Sequence, residues 1–172
     1  MGEKDIQQQV KMICTDHIGL AVSELKILSA SAKGDMVKEL TCALLGVKNL
    51  NKKGDKSPVD HSRHSTFGIL QVRGKWYEHI RGYWSFGRFE RYWHKIFDNM
   101  ICYCISRDGK IIERIYIFPK EEIIKRKNIA IIKNPSKGRL WYEKYRIIDE
   151  EMIKKANDIW NNIIKKIDKK EM

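Results

Sequence analysis

The chain has 172 residues, which is enough for one hydrophobic core, and 42% of them are hydrophobic, as in an ordinary globular protein. The sequence has no apolar run of about eighteen residues that could cross a membrane, and its opening segment lacks the apolar stretch of a signal peptide, so we expect a soluble, cytoplasmic protein. Lysine and arginine outnumber aspartate and glutamate by 12, and this excess indicates a polyanionic partner, most often nucleic acid, with a membrane surface as the competing interpretation.

The first part of the chain is predicted to be helical. Residues 5–45 contain two helical patterns, and in the second, KGDMVKELTCALLG, apolar residues recur near helical spacing. Gly46 is suited to end this helix. The polar segment 51–58 that follows is predicted to be a loop, closed by Pro58.

Strand patterns dominate the middle of the chain. GILQVRG is the first predicted strand, and the apolar runs NMICYCIS and KIIERIYIFP predict a β-hairpin that turns at Asp108-Gly109. KEEIIKRK is predicted to be a short helix, NIAIIK another strand and LWYEKYRII a last strand. From Asp149 onward apolar residues follow a helical period, which predicts an amphipathic C-terminal helix. This order of elements indicates an α/β or α+β domain.

Four cysteines occur, and none of them form a CxxC pair or have the spacing of a metal finger; they are Cys14, Cys42, Cys102 and Cys104. Cys102 and Cys104 lie in the apolar run MICYCIS. We therefore expect these two to be small buried hydrophobic side chains.

Three polar side chains share one face of the first predicted strand. Gln71, Arg73 and Lys75 alternate with Val72, and alternating residues of a strand point to the same side. An ordinary half-buried strand also places polar groups in water, so this pattern alone predicts no site. The pattern becomes informative because an isolated aspartate, Asp60, precedes the strand.

The order of these residues resembles that of the PD-(D/E)xK nuclease superfamily, in the branch whose middle motif reads QxK. The matching pieces are Glu39 in KGDMVKEL, Asp60 in SPVD, and Gln71 with Arg73 in LQVRG. Residues 97–123 also look like the strands and the proline-ended IFP segment of such proteins. The resemblance covers roughly residues 33–123.

The resemblance implies a fold and a domain organisation. The expected fold class is α/β, a restriction endonuclease-like mixed central sheet flanked by helices, with N-terminal helices and a C-terminal amphipathic helix. We expect a single nuclease-like domain over residues 1–172. It would comprise an N-terminal helical extension (1–32), a catalytic core (33–123) and a C-terminal strand and helix (124–172).

The resemblance also implies a metal site that holds Mg²⁺, for which Mn²⁺ may substitute. Asp60 would be the principal ligand, with the amide oxygen of Gln71 as a neutral second ligand and the backbone carbonyl of Val72 close by. A divalent cation polarises the phosphoryl oxygen and lowers the pKa of the attacking water. A protein cation at the position of the motif lysine stabilises the developing charge.

The sequence departs from the family pattern at several of these positions. Arg73 stands where the family has lysine, and arginine stays protonated and is a poor general base. Lys75, on the same strand face, could take over this role if it reaches the site. Glu39 lies about one residue from the expected helix spacing, with Glu24 as the alternative. A non-catalytic DNA-binding protein on the same fold therefore stays an open alternative.

Two histidines beside the aspartate suggest a rival metal site. His61 and His64 follow Asp60 in the string DHSRH, but no distant third ligand is evident. DNA contacts are an equally good interpretation of these side chains.

A segment rich in basic and aromatic residues follows, from residue 73 to residue 95. Basic side chains neutralise phosphates and aromatic rings can stack on bases, so we expect a DNA-binding surface here. We expect the rings to lie mainly in the core and the arginines to face phosphate. The predicted DNA-binding residues are Arg63, Lys75, Arg81, Arg88, Arg91 and Lys95.

These observations favour a metal-dependent endonuclease that cuts double-stranded DNA, of the site-specific restriction or homing type. A Holliday-junction resolvase-like nuclease, a DNA-binding protein without activity and an RNA-binding module are the alternatives. Cutting two strands with one site per chain suggests a homodimer, because two-fold DNA is matched by two-fold protein.

Overall fold

The computed structural model describes residues 28–50, 61–135 and 140–171. The described helices are α1 (Ala30–Leu45), α2 (Lys120–Ile124) and α3 (Glu150–Glu171). The strands are β1 (Leu70–Trp76), β2 (Tyr83–Gly87), β3 (Asn99–Ile105), β4 (Ile112–Pro119) and β5 (Asn128–Ile132). Two short 3₁₀ helices span Phe89–Tyr92 and Glu143–Tyr145.

Helix α1 begins and ends at residues that cap it. The side chain of Ser29 accepts a hydrogen bond from the backbone N–H of Ala32 at 3.1 Å. Gly46 has φ of 67° and donates its N–H to the carbonyl of Cys42, as a left-handed glycine at a helix end does. The predicted helix and its stop at Gly46 are confirmed. The predicted helical residues 5–27 lie outside the described part of the chain.

The main sheet has the strand order β1-β3-β4. β1 and β3 run parallel, and β3 and β4 form the antiparallel hairpin predicted from the sequence, with Gly109 at φ of 78° in its turn. β3 is the central strand and β1 lies at an edge. Among the described strands, none is hydrogen-bonded to the other side of β1.

Helices α1 and α3 cover one face of this sheet. Leu70 and Val72 of β1 contribute to the core on this side, and α3 adds Trp160, whose Nε1 donates to the carbonyl of Gly109 at 2.8 Å. Gly74 allows α1 to come close to β1, because a Cβ atom there would lie 2.4 Å from Cγ1 of Val37.

The other face is covered by an aromatic layer. β2 and β5 form a two-stranded antiparallel sheet, and the rings of Trp84, Phe86 and Phe89 are fully buried against β3 and β4. Cys102 and Cys104 lie in this core as predicted, and burial raises the pKa of both thiols.

The prediction of a strand at LWYEKYRII is wrong. This segment forms the 3₁₀ helix Glu143–Tyr145, and only a single bridge joins Arg146 to Tyr116 of β4. The aromatic residues suggested a strand, but their rings pack sideways onto β4 and the hydroxyl of Tyr116 donates to Glu143 at 2.7 Å. Side-chain packing of this kind needs no strand pairing.

Helix α3 confirms the predicted amphipathic C-terminal helix. The carboxylate of Asp149 accepts hydrogen bonds from the backbone N–H groups of Glu151 and Met152 and so starts the helix. Ala156, Trp160 and Ile163 form its buried side. Among the described helices, none is long and apolar enough to cross a membrane.

Candidate functional site

A cleft of about 590 Å³ runs along the outer edge of β1. Helix α1 forms one wall through Lys33, Gly34, Val37 and Lys38. Tyr92 and Lys95, which follow β2, contribute from the other side. The cleft exists because β1 is an edge strand, so that no further described strand fills the space beside it.

The three polar residues of β1 all line this cleft. Gln71, Arg73 and Lys75 pair in register with Met100, Cys102 and Cys104, which belong to the aromatic core. They therefore share the sheet face that the alternation predicts. Gln71 is only 5% exposed and lies at the inner end of this row.

Protein contacts hold Arg73 in place. Its guanidinium donates hydrogen bonds to the hydroxyl of Tyr92 and to the carbonyl of Gly87, the latter at 3.3 Å, and lies 5.3 Å from the centre of the Tyr92 ring. A guanidinium remains charged and is oriented by these contacts. Arg73 is thus a fixed positive charge in the wall of the cleft.

Lys75 differs from Arg73 because its amine can lose a proton. Burial lowers the pKa of Lys75, and the neighbouring charge of Arg73 lowers it further, while Glu78 acts in the opposite direction. A lysine with a lowered pKa has a larger neutral fraction near neutral pH. The neutral amine can accept a proton.

The described lining of the cleft is strongly basic. Five cationic side chains contribute to it: Lys33, Lys38, Arg73, Lys75 and Lys95. Glu78 is the one carboxylate among the described lining residues. This balance suits a polyanionic ligand.

The two lysines of α1 had no signal in the sequence that marked them as site residues. Lys33 and Lys38 lie near Val37, which packs against Gly74 of β1. The sequence predicts a helix that contains both lysines, but the approach of this face of α1 to β1 depends on long-range packing.

The principal predicted metal ligand, Asp60, lies outside the described residues, as does Glu24. The next residue, His61, is fully buried, with its Nδ1 3.3 Å from the carbonyl of Leu70 in β1. Residues 28–50, 61–135 and 140–171 contain no group of three or more histidine, cysteine or acidic side chains that could hold a metal ion. The metal-ligand assignments of Asp60, Gln71 and Val72 stay predictions.

Glu39 does not line the cleft. It lies in a separate groove between α1 and α3, where its Oε1 is 2.9 Å from Nζ of Lys166. The side of α1 that borders the cleft carries Lys33 and Lys38 instead. Glu39 therefore does not join Gln71 and Arg73 in this structure.

His64 has a local structural role. Its Nδ1 accepts hydrogen bonds from the backbone N–H groups of Thr66 and Phe67, and its ring stacks on that of Phe67. These contacts fix the turn that precedes β1.

The predicted DNA-binding residues occupy several places. Lys75 and Lys95 line the cleft, and Arg81 lines an adjoining groove. Arg88 and Arg91 are exposed beside the 3₁₀ helix Phe89–Tyr92. Arg63 is exposed and its Nη1 is 3.6 Å from the carboxylate of Asp98.

The aromatic rings of this segment divide as expected. Trp84, Phe86 and Phe89 are fully buried, and Arg81, Arg88 and Arg91 are exposed. Trp76, Tyr77 and Tyr92 are partly buried and pack against the core, whereas Tyr83 is partly exposed and about half of Trp93 is exposed. The prediction that the rings lie mainly in the core is confirmed, whereas contact of the arginines with phosphate stays a prediction.

The fold is similar to that of a bacterial homing endonuclease, I-Ssp6803I. The match has a TM-score of 0.52 and 21% sequence identity, and it covers 76% of this chain and 95% of that chain. No protein-family model matches the sequence, and no curated protein matches it significantly. The likeness confirms the predicted fold class, a mixed α/β sheet flanked by helices. The PD-(D/E)xK assignment and its QxK variant stay predictions.

Proposed function

We propose that this protein is a metal-dependent, site-specific endonuclease that cuts duplex DNA, of the homing or restriction type. The observation that carries the proposal is the basic cleft along β1, where Gln71, Arg73 and Lys75 lie side by side. The similarity in fold to a homing endonuclease supports it.

The donors expected to hold the metal are of the kind that Mg²⁺ prefers. Asp60 would supply a carboxylate, Gln71 an amide oxygen and Val72 a backbone carbonyl. Gln71 and Val72 both line the cleft. When bound, the cation supplies polarisation of the phosphoryl oxygen and a lower pKa for the attacking water.

The two cations of β1 have different roles in this proposal. Arg73, oriented by Tyr92 and Gly87, stabilises the negative charge that develops on the phosphoryl group. Lys75, with its lowered pKa, accepts the proton of the attacking water. Lys75 thus takes the role that the family pattern gives to a lysine at position 73, from a position two residues further along the same strand face.

We further propose that two copies of the chain act together. A duplex has two strands, and a chain with one cleft cuts both most simply as a two-fold dimer. Light scattering of the protein with and without a bound duplex tests this.

The experiment that tests the activity compares the wild type with Asp60→Ala on a pool of random-sequence DNA duplexes in Mg²⁺ or Mn²⁺. We expect cutting by the wild type, loss of cutting in EDTA and loss of at least about 100-fold in Asp60→Ala. Glu39→Gln is the matched control, because Glu39 lies outside the cleft, and it should cut like the wild type. Equal cutting by Asp60→Ala would contradict the proposed metal site.

A DNA-binding protein without activity is the second candidate function. It is favoured by Arg73 at the lysine position and by Glu78 as the one acidic side chain in the described lining of the cleft. No cutting of the random pool or of a four-way junction, with salt-sensitive DNA binding in both the wild type and Asp60→Ala, would establish it. Cutting of the junction alone would indicate a resolvase, and tighter binding of single-stranded RNA an RNA-binding module.

A further inference from the structure

The turn between β1 and β2 carries an isoleucine that is almost entirely in water. Ile80 is 99% exposed, more than any other large hydrophobic side chain of the described residues. Single exposed apolar residues are common on protein surfaces, so exposure alone indicates no partner. The surroundings of Ile80 are more informative.

Positively charged side chains flank Ile80. It borders an open groove that is also lined by Lys33, Arg81 and Arg107, with Glu78 as the one carboxylate among the described lining residues. The carboxylate of Glu78 lies 3.6 Å from Nε of Arg81 and so offsets part of that charge. Lys33 and Glu78 also line the cleft along β1, so the turn stands beside the candidate active site.

The turn is braced at its base. The N–H of Gly82 donates to the carbonyl of Glu78 at 2.8 Å, and the N–H of Glu78 donates to the carbonyl of Tyr83 at 3.2 Å. The ring of Tyr77 packs on that of Trp84, with 5.0 Å between the ring centres. An apolar side chain on a short, braced turn can be pressed into a partner without loss of much chain freedom.

We propose that Ile80 is a wedge that enters a base step of duplex DNA bound in the cleft, partly unstacks the step and kinks the duplex. Proteins that bend DNA insert apolar side chains such as isoleucine between bases in this way. The proposal rests on the proposed function, because it requires duplex DNA in the cleft. It adds a mode of recognition in which easily kinked pyrimidine–purine steps are preferred.

Charge favours DNA over a second copy of the chain as the group that covers Ile80. The whole chain has a net charge of +12, so a second copy would bring like charges towards Lys33, Arg81 and Arg107. The phosphates on either side of a base step would instead be neutralised by these cations.

The test measures the linking number of plasmid DNA, which requires no knowledge of a target sequence. A plasmid is relaxed by a metal-independent topoisomerase in EDTA, with increasing amounts of the protein at low salt, and its topoisomers are then separated. A wedge that unstacks base steps unwinds the duplex locally, so the closed circles should have fewer turns. EDTA prevents metal-dependent cutting during the assay.

Three variants are compared at equal occupancy of the plasmid, which is set by an independent binding measurement. Ile80→Ala should lose the change in linking number, and Ile80→Leu should keep it because leucine is also an apolar wedge. Ile148→Ala removes an isoleucine that is 84% exposed just before α3, and it should behave like the wild type. The melting temperature of Ile80→Ala should match that of the wild type, because the side chain makes little contact with the fold.

The outcomes separate the wedge from the proposed function. If the wild type binds the plasmid without changing its linking number, or if Ile80→Ala changes it equally, the wedge is overturned and duplex binding stands. If the wild type does not bind the plasmid even at low salt, the proposed function is overturned together with the wedge.

Discussion

Arg73 and Lys75 are separated by one residue on the same strand face, yet the structure places them in different chemical situations. Arg73 is fixed by Tyr92 and Gly87, whereas Lys75 is half-buried beside other cations and has a lowered pKa. Both residues are predictable from the sequence, because alternation along a strand is a local property. The difference between them is not predictable in this way, since it arises from neighbours that are distant in the sequence.

Lys75 is expected to be the proton acceptor in cleavage. Only the neutral amine accepts a proton, and its fraction increases with pH, so the wild-type cleavage rate should rise as pH approaches the lowered pKa of Lys75. Lys75→Arg keeps the charge but cannot deprotonate near neutral pH. We expect it to bind DNA like the wild type, cut about 100-fold more slowly and lose this rise with pH.

The measurement is the single-turnover cleavage rate between pH 6 and pH 9 at saturating protein. Lys154→Arg, on the exposed side of α3, is the matched control and should leave the profile unchanged. A Lys75→Arg variant that cuts at the wild-type rate would show that another group accepts the proton.

At the scale of elements, the predictions from sequence succeeded where the pattern is local. The hairpin of β3 and β4, the end of α1 at Gly46 and the amphipathic α3 each have a signal within one segment. The strand prediction for LWYEKYRII failed because its aromatic residues are typical of a strand, whereas their rings pack against Tyr116 and Phe118 of β4. The cleft was not predictable, because it depends on how α1 and the 3₁₀ helix Phe89–Tyr92 flank β1.

The approach of α1 to β1 gives a prediction for Gly74. A Cβ at this position would lie 2.4 Å from Cγ1 of Val37, so Gly74→Ala must displace the helix or the strand. We expect a loss of about 1–3 kcal/mol in the free energy of unfolding, measured by chemical denaturation. Because α1 also carries Lys33 and Lys38 into the cleft, DNA binding should weaken as well.

Two further variants test whether the contact with Val37 causes the loss of stability in Gly74→Ala. Gly34→Ala, in α1 with nothing within 4 Å of the added Cβ, should stabilise the protein or leave it unchanged. Val37→Ala should reduce the penalty of Gly74→Ala in a double-mutant cycle. If the two substitutions changed the free energy of unfolding additively, the contact with Val37 would not be the source of the lost stability.

At the scale of the whole molecule, the net charge of +12 is distributed unevenly. The described lining of the cleft has five cations and one carboxylate, and the separate groove between α1 and α3 has three lysines, Lys165, Lys166 and Lys169, with Glu39 as the one carboxylate among its described lining residues. Net charge was readable from composition and predicted a polyanionic partner. Its concentration along β1 follows only from the fold, since α1, β1 and the segment after β2 each contribute to it.

The salt dependence of binding tests this distribution. The slope of log affinity against log salt concentration counts the phosphates that the protein neutralises. Lys38→Gln should weaken binding to all duplexes alike and reduce the slope by about 1. Fluorescence anisotropy with a labelled random duplex between 50 and about 300 mM salt measures both quantities.

Lys154→Gln removes an exposed lysine of α3 outside the cleft. It should change neither the affinity for duplex DNA nor the slope of affinity against salt. An equal loss of slope in both variants would mean that DNA is attracted by total charge and has no preference for the cleft.

The edge position of β1 has a consequence for the protein in the absence of DNA. None of the described strands pairs with the outer edge of β1, and such an edge offers N–H and C=O groups on which another chain can build a sheet, which is a common start of aggregation. The edge of β1 is bordered by Arg73 and Lys75, whose charges would be forced against those of an identical strand. Arg73, proposed to stabilise the phosphoryl charge, and Lys75, proposed to accept the proton of the attacking water, thus also oppose sheet pairing between copies of the chain, and they direct any pairing of two copies to a different surface.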